Sequence, residues 1–226
     1  MIENLPNWIN LLFFATWLFT LLFFYYANGQ SGKLIIGLLL WSAFQSILAY
    51  TGFYQDTESI PPRFAVVIIP VFVVLGYGLL PKQQKWISEN RNTKISTFLH
   101  IVRLPVEIVL WQLFIYQMIP ELMTFEGRNF DILAGITAPV LGFLFLKNII
   151  GNKLLLLWNF VGLLLVFFIF VNGILSAELP FQQFGFDQPN RAIVYFPFIL
   201  LPAVIVPIVI WTHLTDILIL WKGKDD

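Results

Sequence analysis

The stretch TFLHIVRLPVEIVLW, residues 97–111, places His100, Arg103 and Glu107 within an otherwise apolar run. At about 100° per residue these side chains share one helix face, within an arc of about 60°. A charge at the centre of a bilayer is costly, so such side chains face a bundle interior, water or a partner. This polar stripe is the first candidate for chemistry.

A second polar group lies near the C-terminus, where WTHLTDILILWK carries His213 and Asp216. Counted along the helix axis, these residues reach depths comparable with those of His100 and Arg103. An ion pair between Arg103 and Asp216 is therefore allowed, with Glu107 as an alternative or additional partner of the arginine.

Three interpretations of these groups stay open. The ion pair holds two helices together, the side chains belong to a ligand or proton pathway, or Arg103 snorkels to the inner interface. The pathway that we predict consists of His100, Arg103, Glu107, His213 and Asp216.

The composition indicates what must position these groups. Of 226 residues, 58% are hydrophobic and 12% charged, and the mean hydropathy is +0.81. Soluble domains carry about 25% charged residues. We therefore predict an all-α, polytopic integral membrane protein whose solvent is the lipid bilayer. The net charge of zero gives no case for nucleic-acid binding, and the absence of Cys excludes disulfides and thiolate chemistry.

A helix needs about 20 apolar residues to cross a bilayer. The chain has seven candidate segments, at about 7–27, 33–54, 63–80, 97–119, 132–147, 153–174 and 192–221. The connections between them are short. We predict one domain, residues 1–226, that forms a seven-transmembrane-helix bundle.

The distribution of Lys and Arg predicts the orientation of these segments. Nine lie in one alternate set of connections, namely Lys33, Lys82, Lys85, Arg91, Lys94, Lys147, Lys153, Lys222 and Lys224, against Arg63, Arg128 and Arg191 in the other set. Cytoplasmic connections carry the excess of positive charge. The N-terminus is therefore expected outside and the C-terminus in the cytoplasm.

Two features repeat along the chain. The second and sixth segments begin with Lys and a Leu-rich run that ends in Trp. The third and seventh are each preceded by a Pro, with a second Pro eight residues later, namely Pro62 and Pro70, and Pro189 and Pro197. A 3+1+3 parallel pseudo-repeat of a transporter type and chance similarity both explain this pattern. The seventh segment also carries Pro197, Pro202 and Pro207, which predict either fixed bends or a hinge.

The outer connections mix carboxylates, Arg and Phe. They are expected to close over the bundle by ion pairs between connections, or to bind a polar head group or a partner protein. The residues expected to make these contacts are Glu126, Arg128, Asp131, Asp187 and Arg191.

The function that these patterns favour is a small membrane transporter or ligand-binding membrane protein, with a small molecule or an ion as substrate. One alternative is a non-catalytic accessory or scaffold subunit that binds a membrane-protein partner, and another is an intramembrane enzyme acting on a lipid-like substrate. No catalytic residue, cofactor or metal ligand set is assigned, because only two His are present and no H-E-x-x-H spacing occurs. We expect a multi-pass protein of the plasma membrane, specifically a bacterial inner membrane.

Overall fold

The computed structural model describes residues 2–223, and within them the regular structure is helical. Lys224, one of the cations counted on the inner side, lies outside the described residues. The α-helices are α1 (Asn7–Ala27), α2 (Gly32–Tyr50), α3 (Ala65–Gly78), α4 (Pro81–Asn90), α5 (Thr93–Leu99), α6 (Arg103–Ile115), α7 (Ile132–Leu146), α8 (Asn152–Leu175) and α9 (Val206–Trp221).

Shorter turns complete the chain. Single 3-10 turns lie at Phe53–Gln55, His100–Val102, Glu121–Met123 and Ala192–Val194, and a π-helical turn at Leu201–Ile205 leads directly into α9. The turn at His100–Val102 joins α5 to α6 into one stretch, Thr93–Ile115.

Within residues 2–223, five stretches are long and apolar enough to cross a membrane. They are α1, α2, Thr93–Ile115, α8 and Leu201–Trp221. The all-helical prediction is therefore confirmed, and the structure contains several helices of membrane-spanning length. Seven full-length spans are not found.

The third and fifth predicted spans are the ones that fall short. Helix α3 has 14 residues and contains Pro70, and α7 has 15 residues and contains Pro139. A 15-residue helix is about 22 Å long, which is less than the hydrocarbon core of about 30 Å. After α3 the chain bends by 78° into α4, so the two helices together form at most one broken span.

Pro70 leaves one carbonyl of α3 without its helical donor, because Pro has no N–H. That carbonyl belongs to Val66, four residues earlier, and Gln45 on α2 donates to it from Nε2 at 3.4 Å. The Tyr54 hydroxyl in turn donates to Gln45 Oε1. A side chain of α2 thus replaces the hydrogen bond that Pro70 removes from α3.

The same arrangement occurs at Pro207, near the start of α9. The freed carbonyl is that of Ala203, and the indole Nε1 of Trp41 on α2 donates to it at 3.0 Å. Helix α2 therefore supplies both of these replacement hydrogen bonds in a region where apolar neighbours offer few other donors.

Replacing Trp41 by Phe is expected to lower the free energy of unfolding by about 1–3 kcal/mol, because the Ala203 carbonyl loses its donor in an apolar environment. Circular dichroism of detergent-solubilised protein during denaturation measures the loss. The matched control is Trp8→Phe, since Trp8 is 47% exposed. Equal stability of the two variants would contradict this role of Trp41.

Helix α9 is the central helix of the bundle. In the spanning window of Leu201–Trp221, 67% of the residues are buried, against 17% for α2. The polar side chains of Thr212, His213, Thr215 and Asp216 on α9 are all fully buried. Thr212 and Thr215 donate to carbonyls of α9 itself, whereas His213 and Asp216 find partners on other elements of the fold.

Candidate functional site

The buried polar group nearest the end predicted to face the cytoplasm is an ion pair between Arg91 and Asp216. Arg91 Nε lies 2.8 Å from Asp216 Oδ1, and both side chains are 0% exposed. Ser96 donates to Asp216 Oδ2 at 2.5 Å. Arg91 also donates to Asn28 Oδ1 at 3.0 Å and to the Thr212 carbonyl at 3.3 Å. Four elements of the fold therefore meet at this pair.

This arrangement corrects the expected pairing of Arg103 with Asp216. The carboxylate of Asp216 pairs instead with Arg91, which the sequence placed in an inner connection. The reason is that the connection folds back into the bundle: Arg91 forms a bridge with Asn28, and Asn92 caps α5 by accepting from Ile95 N.

Two histidine rings stack at the middle of the bundle. The centroids of His100 and His213 lie 3.9 Å apart with an angle of 17° between the planes. Trp158 on α8 packs edge-on against them, at 5.3 Å from His100 and 5.6 Å from His213. Both ring nitrogens of His100 are buried without a hydrogen-bond partner among the described residues.

His213 is held in one orientation from both sides. Its Nε2 lies 2.7 Å from Arg103 Nη2, and its Nδ1 lies 2.8 Å from Asn159 Oδ1. Because a guanidinium only donates hydrogen bonds, Nε2 must accept and Nδ1–H must donate. This geometry describes a neutral imidazole that carries its proton on Nδ1.

Gly162 on α8 provides the space for this ring. Its carbonyl accepts from Arg103 Nη2 at 3.3 Å. A Cβ at position 162 would lie 2.5 Å from His213 Cε1 and 2.7 Å from its Nε2. Only glycine therefore permits the observed approach of α8 to α9.

Arg103 connects the histidines to the end of the bundle that is predicted to face outward, which we call the outer side. Its Nη1 lies 3.0 Å from Asp131 Oδ1, and the side chain is 2% exposed. Asp131 directly precedes α7. Its backbone N–H donates to Asn129 Oδ1 at 3.1 Å, and Asn129 Nδ2 donates to Glu107 Oε1 at 2.5 Å. A continuous series of contacts thus runs from His213 to Glu107.

A cavity of about 70 Å³ lies at this outer end of the series. Its polar lining comprises Glu107, Asn129, Asp131 and Asn190. Glu107 Oε2 and Asn190 Oδ1 are buried acceptors without a hydrogen-bond partner among the described residues. The volume is sufficient for a few water molecules.

The charges around the cavity do not balance. Two carboxylates, those of Glu107 and Asp131, face the single guanidinium of Arg103, which leaves one net negative charge when both carboxylates are ionised. Together with the unpaired acceptors, this excess suits an electropositive ligand. Within residues 2–223, no group of three or more His, Cys, Asp or Glu side chains has a metal-binding arrangement.

The ion pairs expected between the outer connections do not form among the described residues. Asp131 turns inward to Arg103, and Arg191 pairs with Glu178 of its own connection, at 2.8 and 3.1 Å. In the described part of the chain, no ion pair links one outer connection to the other. The Arg191 guanidinium holds the pKa of the Glu178 carboxyl below its usual value through these hydrogen bonds.

A backbone hydrogen bond and a cation–π contact join the two connections instead. The Arg191 N–H donates to the Met118 carbonyl at 2.9 Å, and the Arg128 guanidinium lies 5.9 Å from the ring centroid of Phe184. Glu126 and Asp187 are exposed. The physical reason is that exposed charges gain little from pairing in water.

We call the buried polar series the polar track. It combines predicted residues, His100, Arg103, Glu107, His213 and Asp216, with residues that the sequence did not single out, Arg91, Ser96, Asn129 and Asn190. Three of the four missed residues lie in connections or next to helix ends. The sequence offers one signal for two of them, their position: Arg91 directly precedes Asn92, which caps α5, and Asn129 lies two residues before Asp131.

Comparison with known families adds one finding. A family model described as "Domain of unknown function (DUF8737)" matches residues 59–221. The chain belongs to the DUF8737 family. No curated protein and no solved structure matches it. The DUF8737 region contains α3 to α9 and therefore most of the polar track, whereas Asn28 lies before it.

Proposed function

We propose that this DUF8737 protein is a small multi-pass transporter of the plasma membrane that carries protons along the polar track. The observation that carries the proposal is the unpaired carboxylate oxygen of Glu107. It lies in the outer cavity, at the end of the buried series of contacts that begins at His213. The Arg91–Asp216 pair lies about one helical turn further along α9.

The reasoning starts from the energetic cost of buried polar groups. A static network that only holds helices together is expected to satisfy its donors and acceptors. The track instead leaves Glu107 Oε2 and both nitrogens of His100 without partners among the described residues. Ionisable groups inside a bilayer are expensive, and they mark ion and proton pathways. Unpaired groups on such a pathway are the places where a proton or water molecule arrives and leaves.

The charge balance gives Glu107 its role. Because Arg103 pairs with Asp131, a Glu107 carboxylate that ionises has no counter-charge in the cavity and therefore favours taking up a proton. A proton from the outside neutralises it, and His100 and His213 offer the next basic sites inward. Asp216, paired with Arg91, is the last carboxylate before the inner end.

The proposal is tested in proteoliposomes that contain a trapped pH-sensitive dye. An imposed inside-negative potential is expected to drive proton uptake well above that of protein-free vesicles. Glu107→Gln is expected to reduce this uptake at least tenfold, because the amide cannot ionise. Glu178→Gln is the matched control, since Glu178 lies in an exposed ion pair and does not line the outer cavity. Uptake at the protein-free level, or equal uptake in both variants, would refute the proposal.

A second candidate function rests on the outer connections. Phe125, Phe130, Phe181 and Phe186 are 40%, 54%, 40% and 69% exposed there. Exposed aromatic side chains outside the long helices suit contact with a membrane-protein partner. In this case the protein acts as an accessory subunit, and Phe186→Ser shifts its migration on a native gel of solubilised membranes without changing proton uptake.

A further inference from the structure

A large apolar cavity lies away from the polar track. It has a volume of about 470 Å³ and separates α2 from α3, with α9 as its back wall and α4 at its inner end. The lining is almost entirely apolar and includes Leu34, Leu38, Trp41, Val71, Val74 and Trp211. Cavities of this size hold ligands of several hundred daltons.

The sequence explains why these helices do not close over the cavity. Pro70 and Pro207 both line it, and the chain turns by 78° from α3 into α4 at its inner end. Gly37 on α2 has no neighbouring atom within 4 Å of where its Cβ would lie, so the α2 wall leaves open space at this position. Opposite it, the ring of Trp211 occupies the space that a side chain at Gly78 would need.

The cavity is about as deep as one leaflet of a bilayer. Along α2 its lining extends from Lys33 to Trp41, and eight residues of helix span about 12 Å. Half of a hydrocarbon core is about 15 Å. A ligand that enters from the inner end therefore reaches the middle of the bilayer and no further.

The mouth of the cavity carries polar and positively charged side chains, whereas its interior is apolar. Lys33, Gln83 and Trp86 line it there, and Lys82 and Lys85 are exposed on the same short helix α4. On the predicted orientation this end faces the cytoplasm, where the leaflet carries anionic lipids. Tryptophan at such a position suits the interface between head groups and acyl chains.

We infer that this cavity binds one acyl chain of an anionic glycerophospholipid, whose phosphate is held at Lys33. The apolar depth accepts the chain, and the charge at the mouth selects the head group. The inference is independent of the proposed proton pathway, because none of the track's ionisable residues lines the cavity.

Native mass spectrometry of the detergent-purified protein tests the inference. With added dioleoyl phosphatidylglycerol, the wild type is expected to retain one lipid at least tenfold more tightly than with dioleoyl phosphatidylcholine. Lys33→Glu is expected to remove this preference. Gly37→Leu fills the cavity and is expected to reduce retention of phosphatidylglycerol at least tenfold.

The matched control is Gly76→Leu, because Gly76 also faces open space but does not line the cavity. If Gly37→Leu does not fold, Val74→Phe tests the same space from α3, since Val74 lines the cavity and is 62% exposed. Equal retention in the filled and control variants would overturn the site. Equal retention of the two lipids by the wild type would overturn the role of Lys33.

Discussion

Asp216→Asn is expected to lower the free energy of unfolding by about 3–5 kcal/mol, because it leaves the buried charge of Arg91 without a counter-charge. Both side chains are fully buried, so no water replaces the lost partner. Denaturation in detergent micelles, followed by circular dichroism, measures this change.

An exposed ion pair provides the control for Asp216→Asn. Glu178→Gln breaks the pair with Arg191, whose side chains are 48% and 46% exposed, and such pairs contribute at most about 1 kcal/mol. Equal destabilisation by the two substitutions would contradict the buried position of Asp216.

A variant with both Arg91 and Asp216 replaced distinguishes the effect of this ion pair on stability from its effect on proton uptake. Replacing both members of a buried pair by apolar residues is often neutral for stability. Arg91→Met combined with Asp216→Leu is therefore expected to recover most of the lost stability while still blocking proton uptake. Recovery of both properties would show that this ion pair only holds helices together.

Gly162→Ala is expected to cost about 1–3 kcal/mol of stability, as overpacking of a core does, and to abolish proton uptake. The added methyl group would lie 2.5 Å from His213 Cε1. The ring cannot move aside without losing its hydrogen bonds to Arg103 and Asn159 and its stacking on His100.

The control for this substitution is Gly76→Ala, where a Cβ meets no atom within 4 Å. Alanine in the interior of a helix is favoured over glycine by about 1 kcal/mol, so the control is expected to be unchanged or slightly more stable. The two variants are compared by denaturation and by the proteoliposome assay. Wild-type uptake by Gly162→Ala would exclude the His213 ring from the pathway.

The long uninterrupted spans were predictable because a run of apolar residues is a signal that depends only on composition and length. Helices α1 and α8 begin and end within one residue of the predicted segments. The length of α3 was overestimated because its apolar run continues through Pro70 to Leu80, while the chain bends before Pro81. Hydropathy carries no information about such a bend.

The polar track was predictable only in part. The shared helix face of His100, Arg103 and Glu107 follows from their spacing, and the approach of His213 to Arg103 follows from their similar depth. Depth along two helix axes does not determine which helix faces meet. The pairing of Asp216 with Arg103, which the sequence allowed, therefore does not form, and Asp216 pairs with Arg91. Asn129 and Asn190 come from irregular connections, whose course has no period from which to predict it.

The π-helical turn Leu201–Ile205 separates the two cavities and contributes to both. Leu201 and Pro202 line the outer polar cavity, whereas Ala203 and Val204 line the apolar one. A molecule that occupies either cavity therefore acts on the same short segment. By thermodynamic reciprocity, if an acyl chain changes the affinity of Glu107 for a proton, protonation changes the affinity for the acyl chain by the same factor. The composition of the bilayer would then set the pH range over which the proposed proton uptake occurs.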